Sequence, residues 1–232
     1  MKKLLLISSS RVHGTEFLEH CQADIAEHFA GLDRILFVPY ALKDMDSYEK
    51  LVAQALEPIK LKVESIHKFA DPVQAVENCQ GIFVGGGNTF RLLKTVYDQQ
   101  LLPVIRSKVL GGQVRYMGSS AGTNLACPTI RTSNDMPIVQ PPSFEALDLV
   151  PFQINPHFID ADPNSTHQGE TREQRLTEFH EENDTSVLGL REGSWIRVHG
   201  DRYQLCGASG MKLFRKNRPS EEFAAGDISH LK

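Results

Sequence analysis

Gly118-Ser119-Ser120-Ala121-Gly122 closes a short apolar run and leads into Thr123-Asn124-Leu125-Ala126, a stretch of small residues compatible with a helix. That succession predicts a strand, a sharp turn and a helix, and the pattern G-x-S-x-G puts a serine at the turn. Glycine is required two residues before and two residues after the serine, because a Cβ there would strike the crossing strand and helix. Ser120 is then held above a sheet edge beside the start of a helix. The amide of Ala121 points to where a substrate oxyanion would form. An ordinary strand-to-helix turn satisfies the same five residues, so the pattern gains meaning from what the rest of the chain brings to it.

The rest alternates between strand and helix periodicities. Strands are expected at Lys3–Ile7, Arg34–Tyr40, Leu61–Ile66, Gly81–Val84 and Gln113–Met117. Amphipathic helices are expected between them. Residues 15–30 carry Phe17, Cys21, Ile25 and Phe29 every four positions, and 46–59 place Tyr48, Leu51, Val52, Ala55, Leu56 and Ile59 on one face. Asp71-Pro72 opens a short helix to Cys79, Phe90–Tyr97 and a piece near 101–110 follow, and 170–182 reads as a charged helix. Residues 128–150 hold several prolines and little periodicity and read as a long loop. Beyond Gln153–Asn155, Ser186–Leu190 and Met211–Arg215 read as strands, Trp195–His199 and Tyr203–Cys206 as a hairpin, and the chain from 216 as a loosely held polar tail. Strands alternating with helices predict an α/β fold. We expect a mostly parallel sheet with helices on both faces, of the flavodoxin-like or class-I-glutamine-amidotransferase type. The C-terminal hairpins add an antiparallel edge. With no repeat, linker or low-complexity tract, residues 1–232 are expected to form one domain.

Composition narrows the function. The net charge of −4 argues against a nucleic-acid or anionic-membrane partner. The opening apolar run ends at Ile7 and continues Ser8-Ser9-Ser10-Arg11, which suits a buried first strand better than a signal peptide. No apolar run reaches the length of a membrane span. Cys21, Cys79, Cys127 and Cys206 lie far apart without a CxxC pair, as expected of reduced cysteines in a cytosolic protein. His13, His20, His28, His67, His180, His199 and His230 show no ligand spacing, so no metal site is expected.

In open parallel sheets ligands bind beyond the carboxyl ends of the strands. Gly85-Gly86-Gly87-Asn88-Thr89 follows one strand, Ser120 ends another, His157 a third and Glu192 a fourth. Acyl transfer through serine needs that set: a hydroxyl, an imidazole base, an acid to orient it and oxyanion donors. Gly86, Gly87 and Ala121 are the candidate donors. The glycine loop could instead cradle a phosphate, but no P-loop lysine follows it. A glutamine amidotransferase of this architecture would carry cysteine at the elbow, and a flavodoxin-like binding module would need neither Ser120 nor His157.

The elbow is joined by Val84-Gly85-Gly86-Gly87-Asn88-Thr89-Phe90, Cys127–Ile138, Gln153-Ile154-Asn155-Pro156-His157-Phe158 and Gly169-Glu170-Thr171-Arg172-Glu173-Gln174-Arg175. Over nearly its whole length the chain thereby resembles the peptidase E family, serine peptidases related to cyanophycinase. The resemblance implies a cytoplasmic, cofactor-free enzyme, homodimeric, that hydrolyses dipeptides with N-terminal aspartate. Ser120 and His157 match the nucleophile and base, and Asp135 and Glu192 both match positions for the third member. Asn88, Arg131, Arg172 and Arg175 lie in matching stretches and are candidates to hold substrate. Arginine suits the aspartate carboxylate because its planar fork binds both oxygens. Ser119 departs from a bulkier residue in many relatives and is expected to touch the pocket wall.

Overall fold

The computed structural model describes residues 1–164, 166 and 168–231. Positions 165 and 167, in the polar loop 160–169, lie outside the described residues, as does 232. In chain order the elements are β1 (Lys3–Ile7), α1 (Gln22–His28), β2 (Arg34–Val38), α2 (Met45–Leu56), β3 (Lys62–Ser65), α3 (Pro72–Asn78), β4 (Gly81–Val84), α4 (Thr89–Asp98) and α5 (Leu101–Leu110). They continue with β5 (Arg115–Ser119), α6 (Ala121–Leu125), β6 (Gln153–Phe158), α7 (Arg172–Glu182), β7 (Val187–Arg191), β8 (Ser194–His199), β9 (Arg202–Gly207), β10 (Met211–Phe214), β11 (Glu221–Phe223) and β12 (Gly226–Asp227).

The main sheet runs β12-β9-β8-β1-β5-β4-β2-β3. From β1 to β3 its neighbours are parallel, and β8, β9 and β12 extend it in antiparallel pairs, as the hairpin pattern predicts. Side chains alternate between two cores, as a strand buried on both faces requires. Leu4, Leu6, Leu36, Val38, Ile82, Val84 and Tyr116 face one core with α3, α4 and α5. Leu5, Ile7, Ile35, Phe37, Phe83 and Met117 face the other, with Ile25 of α1 and Val52 and Leu56 of α2. Each such side chain withdrawn from water contributes about 1.5–3 kcal/mol. Helix starts are capped by Asp44, Asp71 and Asn88, each accepting from a backbone N–H three residues on, and Thr171 forms a capping box with Gln174.

Three expectations need correction. The first helix begins at Gln22, not near 15: Leu18 takes a left-handed conformation (φ 62°) and a single 3-10 turn, Glu19–Cys21, follows it. The four-residue spacing still marks a buried face, because Phe17, Cys21, Ile25 and Phe29 all enter one core through a non-helical turn. The strand ends carrying His157 and Glu192 belong to a second sheet, β11-β10-β7-β6, in which β6 and β7 are parallel. Ile154, Leu188, Leu190, Met211 and Leu213 of that sheet share a core with the main one, while Phe158, Val187 and Phe214 pack on Leu176 of α7. The polar tail is ordered: β11 pairs with β10 and β12 with β9, and Ile228 and Leu231 are buried. Strands of two or three residues are too short to show an alternating pattern, which is why these two are invisible to periodicity.

Candidate active site

Ser120 follows β5 with φ 53° and ψ −109°, a strained conformation for a residue bearing a Cβ. Its surroundings hold it there. Its N–H donates to Ile7 O (3.0 Å), and its carbonyl accepts from the N–H groups of Thr123 (2.9 Å) and Asn124 (3.0 Å). The Thr123 hydroxyl donates to Ile7 O (2.7 Å) and the Tyr116 hydroxyl to Gly122 O (2.6 Å), all within the core. A Cβ on Gly118 would lie 2.5 Å from Gly122 O, and one on Gly122 would overlap the Val84 carbonyl. Both glycines of the elbow are therefore obligatory. Ser119 is fully buried and paired in register with Ile7, inside the sheet instead of on a pocket wall.

His157 arrives from the second sheet. The β6–β7 register slips between Pro156 and Phe158, and His157 has φ 53°. This bulge re-aims the imidazole out of the strand. The fully buried Ser8 fixes its backbone: the Ser8 hydroxyl accepts from His157 N–H (2.9 Å) and donates to Leu190 O (2.7 Å). The His157 ring then bridges two side chains. Nε2 lies 2.9 Å from Ser120 Oγ, and Nδ1 lies 2.6 Å from Glu192 Oε1. A carboxylate can only accept, so Nδ1 carries the proton and Nε2 is left to accept from the serine.

Asp135 is elsewhere. Its Oδ2 accepts from Thr89 N–H (2.8 Å), the Thr89 hydroxyl (2.6 Å) and the Ser133 hydroxyl (3.2 Å), at the start of α4. Its placement depends on the long loop, which is tied to β6 by Asn155 Nδ2 donating to Thr132 O (2.8 Å) and Asn134 Nδ2 donating to Pro156 O (2.7 Å). Asp135, Ser120, His157 and Glu192 nevertheless line one open cavity of about 770 Å³, together with Gly86, Gly87 and the loop after β1.

The remaining candidates divide. Asn88 is engaged at both ends of its amide, capping α4 and donating to Met136 O (2.8 Å). Arg131 lies over the Phe144 ring, 5.1 Å from its centroid, and Arg175 pairs with Glu170 (3.5 Å). None of Asn88, Arg131, Arg172 and Arg175 lines the cavity. Arg172 is half-buried; desolvation and the nearby Arg175 charge lower its pKa, and Asp135 opposes them, so the Arg172 charge is felt at Asp135. Burial raises the pKa of the Tyr48 hydroxyl, and the Gly86 amide acts against that shift. A Cβ on Gly86 would stand 3.0 Å from the Ser120 Cβ, so this residue also gives the nucleophile clearance.

Sequence reasoning missed Ser8, Tyr48 and Arg11. A serine run at the end of a buried strand is a signal for Ser8. Tyr48 has the spacing of a core residue, but a buried tyrosine needs a partner for its hydroxyl. The expectation of no ligand spacing also needs amending, since α2 and the 3-10 turn Ile66–Lys68 after β3 bring ligand atoms of Asp46, Glu49 and His67 within 4.8 Å of one another. Each is already partnered: His67 with Ser65 (2.7 Å) and Asp46 (3.2 Å), Glu49 with Lys68.

Residues 4–206 match the model of peptidase family S51. The chain belongs to peptidase family S51. A peptidase E from Streptomyces coelicolor is 52% identical over 229 residues, covering 98% of this chain and 94% of that one. A protein described as a probable alpha-aspartyl dipeptidase, from Drosophila melanogaster, is 50% identical over 233 residues, covering 99% and 97%. The crystal structure of a peptidase from an acI-B1 Actinobacterium superimposes with a TM-score of 0.73 at 17% identity, covering 98% and 96%, and shares the fold. As an S51 peptidase the chain is an enzyme of the serine peptidase class, and its mostly parallel sheet with an antiparallel side belongs to the fold it shares with that crystal structure. Among the described residues no helix is long and apolar enough to cross a membrane.

Proposed function

We propose that this S51 peptidase hydrolyses dipeptides with N-terminal aspartate through an acyl-enzyme on Ser120. The observation that carries the reading is the continuous relay from Ser120 Oγ through His157 to Glu192 at one cavity. Ser120 attacks the peptide carbonyl while His157 Nε2 takes its proton. Glu192 stabilises the imidazolium and holds the ring in the tautomer with Nδ1 protonated. The oxyanion forms against the amides of Ala121 and of the Gly86-Gly87 loop, which lines the cavity beside Ser120. The imidazolium returns the proton to the leaving amine. A water then attacks the ester with His157 again as base, and aspartate is released. The reaction calls for no cofactor.

Two charges of the substrate sit near the scissile bond, and burying either unpaired would cost several kcal/mol. In this reading Asp135, held by Thr89 at the cavity, meets the α-amine, and Arg172, whose charge acts on Asp135, meets the side-chain carboxylate. We further place the enzyme in the cytoplasm as a homodimer, in keeping with four unpaired cysteines and with its S51 membership; fractionation and sedimentation test this. The decisive experiment for the chemistry is labelling by an organophosphonate together with a panel of dipeptides differing only at the first residue. Labelling at Ser120, lost in Ser120→Ala, with Asp-Leu cleaved far ahead of Asn-Leu and Glu-Leu, is the expected result. Equal turnover across the panel would reject the aspartate reading, and labelling elsewhere would reject the mechanism.

A further inference from the structure

A peptidase that accepts dipeptides has to bind both halves of a very short substrate. Asp135 and Arg172 account for the aspartyl half only. β1 runs beside β5 with Ile7 in register with Ser119, so the chain leaving β1 passes directly beside the nucleophile. Arg11 stands on this loop. The loop is braced: Arg11 N–H donates to Ser9 Oγ (3.1 Å), Leu18 N–H donates to Ser10 O (2.8 Å), and Phe17 and Leu18 are buried.

Arg11 lines the same cavity as Ser120. Its guanidinium lies 5.5 Å from the centroid of the Phe17 ring, and among the described residues no carboxylate comes within ion-pair distance of it. Neither carboxylate of the cavity pairs with Arg11: Glu192 Oε1 bonds His157, and Asp135 Oδ2 bonds Thr89 and Ser133. Arg11 is also close to the reacting centre. The Tyr48 hydroxyl has its pKa raised by burial, against the opposing pull of the Gly86 amide and the Arg11 charge. Gly86 in turn adjoins Ser120.

The position has a direction. Phe17 and Tyr48 belong to the core shared with α1 and α2, whereas α4, which carries the anchor for Asp135, packs on the opposite face of the sheet. Ser120 lies at the sheet end between them. A substrate with its aspartyl amine at Asp135 therefore presents its second residue to the Arg11 side. That side offers Phe17, Leu42 and Leu51 to an apolar side chain and one unpaired cation to a free carboxylate.

Resting on the dipeptidase reading, we infer that Arg11 binds the α-carboxylate of the residue that leaves. Arg11 thereby selects dipeptides over longer chains, whose carboxylate lies further out. The test compares Asp-Leu, Asp-Leu amide and Asp-Leu-Gly on the full-length enzyme and on Arg11→Gln and Arg11→Lys. A charge-assisted hydrogen bond predicts that the wild type prefers Asp-Leu over its amide by about ten- to a hundredfold in kcat/KM, mostly through KM. In Arg11→Gln that ratio falls to near one, the loss falling on Asp-Leu, and Arg11→Lys recovers part of it. A wild type that does not distinguish acid from amide overturns the inference alone, as does an equal loss on both substrates in Arg11→Gln. A wild type that labels at Ser120 yet cleaves none of the three overturns the dipeptidase reading and this inference with it.

Discussion

Replacing Ser8 by alanine removes one hydroxyl that no substrate touches, yet it should cost much of the activity. That hydroxyl is fully buried and joins β1 to both strands of the second sheet that carry the relay, through His157 N–H and Leu190 O. In the variant one buried donor and one buried acceptor lose their partner. Each unsatisfied group costs roughly 1–3 kcal/mol. Stability should therefore fall by about 2–6 kcal/mol, read as a lower urea midpoint at unchanged slope. The functional loss has a separate cause. His157 sits at φ 53°, a strained state worth about 1–3 kcal/mol that persists only while its surroundings impose it. Without Ser8 the backbone can relax, and a shift of about 1 Å at a catalytic group costs on the order of 10²-fold in rate. The expected result is kcat for Asp-Leu down about a hundredfold with KM little changed, a parallel fall in the rate of organophosphonate labelling, and recovery of both in Ser8→Thr. A variant that is destabilised but turns over normally would refute the reasoning, since His157 would then hold its geometry unaided.

Other expectations follow from the same contacts. Glu192→Gln should lower kcat by about 10³–10⁴-fold, whereas Asp135→Asn should act mainly on KM for substrates with a free α-amine; steady-state kinetics on Asp-Leu and an amine-blocked analogue separate the two. Arg172→Ala should lose about 10²-fold in kcat/KM for Asp-Leu while keeping its phosphonate labelling rate, and Arg131→Ala, whose guanidinium stacks on Phe144, should behave as wild type in the same assay. His28 gives a pH dependence of stability. Burial first, then the Arg115 charge, depress its pKa from 6.5 to about 3, and its Nε2 is buried without a partner. The unfolded chain therefore takes up the proton first. The His28 contribution is complete above pH 6.5 and declines as pH falls towards 3, by about 1.4 kcal/mol per unit. Denaturant midpoints at pH 7.5 and 5, compared with His28→Gln, measure it.

The parallel strands were legible because each is a local signal: a run of apolar residues alternating between two cores and ending in glycine, serine or proline. The elbow was legible for the same reason, since Gly118 and Gly122 answer a steric demand made within five residues. What stayed hidden depends on distant segments meeting. Glu192 was legible as a strand-end carboxylate, whereas Asp135, in the long loop, had no readable position; only the tie from Asn155 to that loop puts Asp135 on Thr89, and the β6–β7 pairing brings Glu192 to the imidazole. The smaller sheet escaped notice because a strand run does not name its neighbour. Arg131 and Arg172 both lie in stretches that match the family, and sequence could not tell that the first guanidinium stacks on Phe144.

The relay is divided between the two sheets: Ser120 on the larger, His157 and Glu192 on the smaller, with a common layer of Ile154, Leu188 and Leu190 against Ile196 and Val198 between them. Turnover thus works as a vernier on that layer. A slip too small to disturb either sheet's hydrogen bonds still lengthens the Ser120–His157 contact and idles the enzyme. Under warming or hydrostatic pressure, catalysis should fade while circular dichroism is unchanged, and should return on release. Volume changes in aliphatic residues that never meet a substrate become a means of tuning rate without altering a single residue of the cavity.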